Sequence, residues 1–184
     1  MPRYVAFLRA INLGGARMVK MDFLRQLFES LGFDKVETFI ASGNVVFGTK
    51  RPRSSQTLER KIEKKILEEL SFDVTVFVRT AAEVVEIAKR KPFPKSKIDS
   101  RTSCHIVFLP DALDRKLSQE VTRLKTATDE FRVDGREVYW LRRKRKHGDF
   151  STVALEKILR RPFTVRSLNT VERIAAKYFS APRA

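Results

Sequence analysis

Val78-Arg79-Thr80, followed by Val84, Ile87 and Ala88, is matched by Val165-Arg166-Ser167, followed by Val171, Ile174 and Ala175. In both stretches an alternating strand ends on an arginine and a hydroxyl residue suited to capping a helix. Apolar residues then recur at helical spacing. A second echo sets Val5-Ala6-Phe7-Leu8 against Ile106-Val107-Phe108-Leu109. Alternation alone is common to all βα units, but a shared arginine before a shared cap argues for an internal duplication.

Working outward, the first half reads as a strand over Arg3–Leu8, a polar glycine-containing loop to Gly15, and a helix over Val19–Leu31 that Gly32 closes. A strand over Val36–Ile40, the turn Ala41-Ser42-Gly43-Asn44 and a strand over Val45–Phe47 follow. After a loop over Thr49–Gln56 come a helix over Leu58–Leu70, a strand over Val74–Val78 and a helix over Ala81–Lys91. Thr80 and Glu83 form a capping-box pattern at the start of that last helix.

The second half repeats the order. A strand over Cys104–Leu109 leads to a helix over Leu113–Leu124 and a hairpin around Asp134-Gly135. A basic loop over Arg142–Asp149 precedes a helix capped by Ser151. A strand over Phe163–Val165 and a helix over Leu168–Tyr178 complete it. The predicted fold is α+β: a tandem duplication of a ferredoxin-like β-α-β-β-α-β unit, each followed by an extra helix. The first unit is expected over residues 1–91, a basic, proline-bearing linker over 92–102, and the second unit over 103–184.

Composition supports a packed protein. Apolar residues make up 42% of the 184 positions, phenylalanine alone supplying 14, so disorder is excluded for most of the chain. Lysine and arginine number 38 against 22 acids, a net charge of +16 spread over both halves. Such a field attracts nucleic acid or another polyanion, or simply maintains solubility. A single cysteine, Cys104, allows no internal disulfide. No apolar run approaches the roughly 18–20 residues that span a bilayer, and no signal-peptide pattern precedes the first strand. A cytoplasmic protein without membrane attachment is expected.

In the predicted topology the first two strands of a unit run the same way. The exit of strand one and the turn between strands two and three therefore share one sheet edge. That edge gathers Arg9, Asn12, Gly14, Gly15 and Lys20 with Ser42, Gly43 and Asn44. Arginine grips carboxylate or phosphate through two hydrogen bonds, and glycines let backbone N–H groups approach an anion at a helix start. Alternatively the glycines satisfy a tight turn and Asn44 bonds within its own hairpin. No P-loop or dinucleotide fingerprint is present. The opposite edge of the second unit brings Arg142, Arg143, Lys144, Arg145, Lys146, His147 and Ser151 towards Arg166, Asn169 and Thr170. It offers the best polyanion contact in the chain, or a solvated charged loop.

Catalytic constellations are scarce. Cys104 and His105 are adjacent in a strand, so they point to opposite faces and form no nucleophile–base pair. Two histidines and one cysteine supply no zinc cluster, so neither a metal nor a cofactor is expected. Asp22, Glu29, Glu59 and Glu63 fall at solvent-type helix positions. Strand three, Ser42-Gly43-Asn44-Val45-Val46-Phe47, lacks the basic and aromatic pattern of an RNA-recognition module.

Leu8-Arg9-Ala10-Ile11-Asn12-Leu13-Gly14-Gly15, Lys20-Met21, Ser42-Gly43-Asn44-Val45-Val46-Phe47 and Thr164-Val165-Arg166-Ser167-Leu168-Asn169-Thr170-Val171 together resemble the bacterial domain-of-unknown-function family 1697. The family pattern carries glycine where this chain has Ala10 and Asn-Trp where it has Ser167-Leu168. Its Gly-x-x-Ser segment is kept as Gly148 to Ser151, with Thr152 in place of a basic residue. The resemblance implies a small cytosolic α+β protein and brings no reaction. The expected function is binding of a phosphorylated molecule or nucleic acid through the basic loop edges. Two alternatives stand beside it: an enzyme acting on a small anion, anchored by Arg9 and Arg166 with Ser42 or Asn44 near the chemistry, or a self-associating protein without catalysis.

Overall fold

The computed structural model describes residues 1–11, 18–143 and 152–180. Its first half runs β1 (Arg3–Leu8), α1 (Met21–Ser30), β2 (Asp34–Thr38), β3 (Asn44–Gly48), α2 (Ser55–Leu70), β4 (Val76–Thr80) and α3 (Ala81–Lys89). Its second half runs β5 (Thr102–Phe108), α4 (Arg115–Arg123), β6 (Asp129–Asp134), β7 (Glu137–Arg143), α5 (Val153–Leu159), β8 (Thr164–Ser167) and α6 (Leu168–Tyr178). Two four-stranded antiparallel sheets result, ordered β2-β3-β1-β4 and β6-β7-β5-β8. The protein is mixed α+β with two similar halves.

The chain divides into two compact units. One comprises Met1–Ala88 together with the segment from Glu172, and the other comprises Lys89–Val171. The last helix is thus shared between them along its length. Within the first unit Arg3 donates Nη1–H to the Tyr178 carbonyl at 2.9 Å, and Arg173 lies over the Phe39 ring at 5.0 Å.

Helices bury one face of each sheet. In the first unit Tyr4, Ala6, Leu8, Val45, Phe47, Val76 and Val78 pack against Leu24, Phe28, Leu58, Ile62 and Ile66. The alternate residues Val5, Phe7, Val46 and Phe77 are also fully buried, so β1 is covered on both faces, as its unbroken apolar run implies. The second unit repeats this with Val107, Leu109, Val138 and Trp140 on the helical side.

Local chemistry explains most boundaries. Thr80 and Glu83 form the expected capping box: the Thr80 N–H donates to Glu83 Oε2 at 2.8 Å, and the Glu83 N–H to Thr80 Oγ1 at 3.2 Å. Gly32 takes φ +77° just beyond α1, and Gly135 takes φ +59° in the β6–β7 turn. Most other boundaries shift by one to three residues from the expectation, α5 follows Thr152 rather than Ser151, and three shifts have a clear local cause. α2 starts at Ser55, because Ser54 Oγ accepts from the Thr57 N–H at 3.2 Å and caps a turn read as loop. α4 starts at Arg115 behind Asp114, which accepts from the Leu117 N–H at 2.8 Å. β7 runs on to Arg143, so Arg142 and Arg143 are strand residues opposite Ser103 and Thr102 rather than loop residues.

Candidate functional site

The exit of β1 meets the β2–β3 turn. The Leu8 N–H donates to the Gly43 carbonyl at 2.8 Å, and a Cβ placed on Gly43 would lie 3.2 Å from Leu8 Cβ and 3.5 Å from Ile11 Cβ. Gly43 has φ +71°, so close approach and backbone conformation both call for glycine here. The two sequence segments predicted to converge therefore do so at Arg9 and Ser42–Asn44. Arg9 and Lys20 are exposed, and among the described residues neither side chain has a hydrogen-bond or ion-pair partner.

Asn44 takes a different place from these cations. It is fully buried, and Nδ2 donates to the Phe39 carbonyl at 2.9 Å and to Ser42 Oγ at 2.9 Å. These bonds hold the turn itself, so the Asn44 amide serves the hairpin in the manner weighed from sequence. Two non-glycine residues flank the edge in the left-handed region, Ala10 at φ +54° and Ile40 at φ +52°. A β-branched residue there is strained, and such strain concentrates at functional positions. Asn12, Gly14 and Gly15 lie outside the described residues.

At the second edge the described residues are mostly engaged. Arg143 pairs with Asp99 at 2.9 Å, and Arg142 stacks over the Trp140 ring at 5.9 Å. Arg166 is partly buried: Nη1 donates to Thr164 Oγ1 at 2.8 Å and to the Val165 carbonyl at 2.9 Å. Burial draws its pKa down to about 10. Thr170 is buried with Oγ1 2.8 Å from Ser167 Oγ, and Ser167 accepts its N–H at 3.1 Å, whereas Asn169 is exposed. Ser167 thus caps α6 through the Thr170 N–H. Lys144, Arg145, Lys146, His147 and Ser151 lie outside the described residues. Near this edge a cleft of about 350 Å³ is lined by Lys97, Thr102, Lys125, Thr128, Glu130 and Arg143. Its cations are partly compensated, Lys97 Nζ lying 2.6 Å from Glu130.

One expectation is overturned. Glu59 and Glu63 do not sit at solvent positions. Glu59 is buried and its Oε1 accepts from the Val78 N–H at 2.7 Å, while Glu63 Oε1 accepts from the Val76 N–H at 2.9 Å. β4 is an edge strand, and these carboxylates, one turn apart on α2, occupy donors that a neighbouring strand would have taken. Burial raises the Glu63 pKa, a tendency opposed by the Val76 N–H and by Arg60.

Sequence reasoning also passed over Ser103. The alternation that separates Cys104 from His105 puts Ser103 and His105 on one face, where Ser103 Oγ lies 3.1 Å from His105 Nε2. Desolvation, with a smaller contribution from Arg142, lowers the His105 pKa. Cys104 is half-buried. Among the described residues no group of three or more His, Cys, Asp or Glu could hold a metal ion, and no helix is long and apolar enough to cross a membrane.

The family model described as "Protein of unknown function (DUF1697)" matches residues 1–139. The chain belongs to this family. Its match takes in the whole β1-exit edge, and the Thr164–Val171 segment lies beyond it. The backbone is left-handed at Ala10, a conformation that glycine adopts without strain. A solved structure of a conserved bacterial protein from Streptococcus pneumoniae is similar, with a TM-score of 0.70 and 23% sequence identity. The likeness covers 96% of this chain and 97% of that one, and it bears on the fold alone. No curated protein matches the chain.

Proposed function

We propose that the protein binds an anionic ligand, a phosphorylated molecule or nucleic acid, at its basic loop edges, with the β1-exit edge as the principal site. The observation that carries this reading is the junction of Leu8 with Gly43 at 2.8 Å, beside exposed Arg9, whose side chain has no partner among the described residues; Lys20, at the start of α1, is likewise exposed and without one. A cation left unpaired beside a strained turn is available to a ligand, whereas the described cations of the second edge, Arg142, Arg143 and Arg166, each engage a neighbouring group. The buried Asn44 argues for a rigid hairpin at the site. Inorganic pyrophosphate at low salt is a suitable probe, followed by calorimetry. Arg9→Ala and Lys20→Ala should each weaken binding about 10-fold or more, as expected for losing a charge-assisted hydrogen bond of ~1.5–3 kcal/mol. Absence of binding, or equal binding by both variants and the parent, refutes it.

We infer further that each unit is ferredoxin-like and that the two arose by duplication. The repeated orders β2-β3-β1-β4 and β6-β7-β5-β8 support this. So do Arg79 and Arg166, each of which donates Nη1–H to the carbonyl of the preceding valine, at 3.0 and 2.9 Å.

A further inference from the structure

In the second unit α4 and the edge strand β6 enclose a groove of about 520 Å³, lined by Arg115, Ser118, Gln119, Thr122, Arg123 and Arg132. No acidic or aromatic side chain lines it among the described residues. Arg115 and Arg123 are exposed and make no ion pair or side-chain hydrogen bond among the described residues. Arg132 is held in place: its Nη2 lies 2.6 Å from Glu130, which Lys97 also grips at 2.6 Å, and its guanidinium rests 5.9 Å from the Phe93 ring.

The first unit supplies an internal comparison. Leu24, Phe28 and Leu31 of α1 share their spacing with Leu117, Val121 and Leu124 of α4. That alignment sets Asp22 against Arg115, Arg25 against Ser118, Glu29 against Thr122 and Ser30 against Arg123. Strand register sets Glu37, opposite Val46, against Arg132, opposite Tyr139. At these aligned positions the first half carries Asp22, Glu29 and Glu37 with one arginine, and the second carries three arginines, of which Arg132 alone is paired with an acid, Glu130. The scaffold is common to both, so the arginines are not a requirement of packing.

We propose that this groove binds the phosphodiester backbone of a nucleic-acid strand. Arg115 and Arg123 stand about 12 Å apart along the helix at 1.5 Å per residue. That is too far to clamp one phosphate between them and suits an anion whose charges recur along a chain. Ser118, Gln119 and Thr122 add neutral hydrogen-bonding groups between the cations. With no aromatic platform in the groove, binding is to the backbone, tolerant of base sequence and strongly salt-dependent. The proposal concerns other residues than the β1-exit edge and does not rest on that reading.

The test is fluorescence anisotropy of a labelled 12-nucleotide mixed-sequence single strand against salt. Losing two phosphate contacts reduces the slope of log affinity against log salt by about 1.4, and weakens binding about 60-fold at 50 mM salt relative to convergence at 1 M. Arg115→Gln/Arg123→Gln should show both effects with its circular dichroism unchanged. Thr122→Glu, which restores the first-half charge, should weaken binding as well. Arg60→Gln/Lys64→Gln removes the same net charge from α2 and should change affinity less than threefold. Equal losses in the two double variants would overturn the proposal, as would binding of inorganic polyphosphate without binding of the oligonucleotide. Loss confined to Arg9→Ala/Lys20→Ala would overturn the groove and leave the edge reading standing.

Discussion

Replacing Glu59 by alanine removes the acceptor that covers the Val78 N–H at the outer edge of β4. A hydrogen bond to a charged acceptor contributes ~1.5–3 kcal/mol, and the orphaned N–H adds a desolvation cost of similar order. Truncation also withdraws one packed methylene, worth about 0.8 kcal/mol. Releasing a buried carboxylate offsets part of this, because its own desolvation cost disappears. The expected net loss is about 2–3 kcal/mol, or roughly 5–10 °C in Tm for a chain of this size. Glu59→Gln keeps an oxygen acceptor and should lose about half as much. Thermal and urea unfolding give the global value. Because two units need not melt together, amide exchange at Val76 and Val78 supplies the local one. The reasoning fails if Glu59→Ala costs under 0.5 kcal/mol with unchanged exchange at Val78, or if glutamine is as damaging as alanine. The bare β4 edge of the alanine variant should also promote self-association, visible by sedimentation at rising concentration.

Burial raises the folded pKa of Glu63 above its ordinary 4.5, so its carboxyl favours the folded state at low pH and that contribution is lost as pH rises through the raised value. Glu63→Gln should accordingly be more stable than the parent at pH 7 and no more stable at pH 4, measured by urea unfolding. His105 has a pKa below its ordinary 6.5, so stability present above that value should fall as pH drops through the depressed one; an imidazole nitrogen NMR titration locates the transition. Ile40→Gly relieves a left-handed β-branched residue and should raise stability by about 1 kcal/mol, read from urea midpoints at constant m-value.

The strands were legible because short apolar or alternating runs lie between recognisable turns, and in the expected topology one sheet edge receives both the β1 exit and the β2–β3 turn. The sequence alone therefore brings Gly43 and Arg9 together. What stayed hidden depends on tertiary partners. Glu59 and Glu63 have the four-residue spacing of a solvated helix face, and only the position of β4 turns them inward. Arg142 looked like loop because basic runs usually are, yet pairing with Ser103 extends the strand. The pairing of Ser103 with His105 followed from strand alternation but needed a cross-check two residues away. The groove beside α4 was invisible for another reason: its cations are scattered over a helix and a strand, and form no run.

The sharing of α6 between units has a consequence for synthesis. Residues from Glu172 onward belong to the unit that begins at Met1, through contacts such as Arg3 with Tyr178 and Phe39 with Arg173. A ribosome releases the opening β-α-β-β-α-β run long before that closing segment emerges. The first unit must wait, incomplete, while the whole second unit is made, so the earliest part of the chain is among the last to be finished.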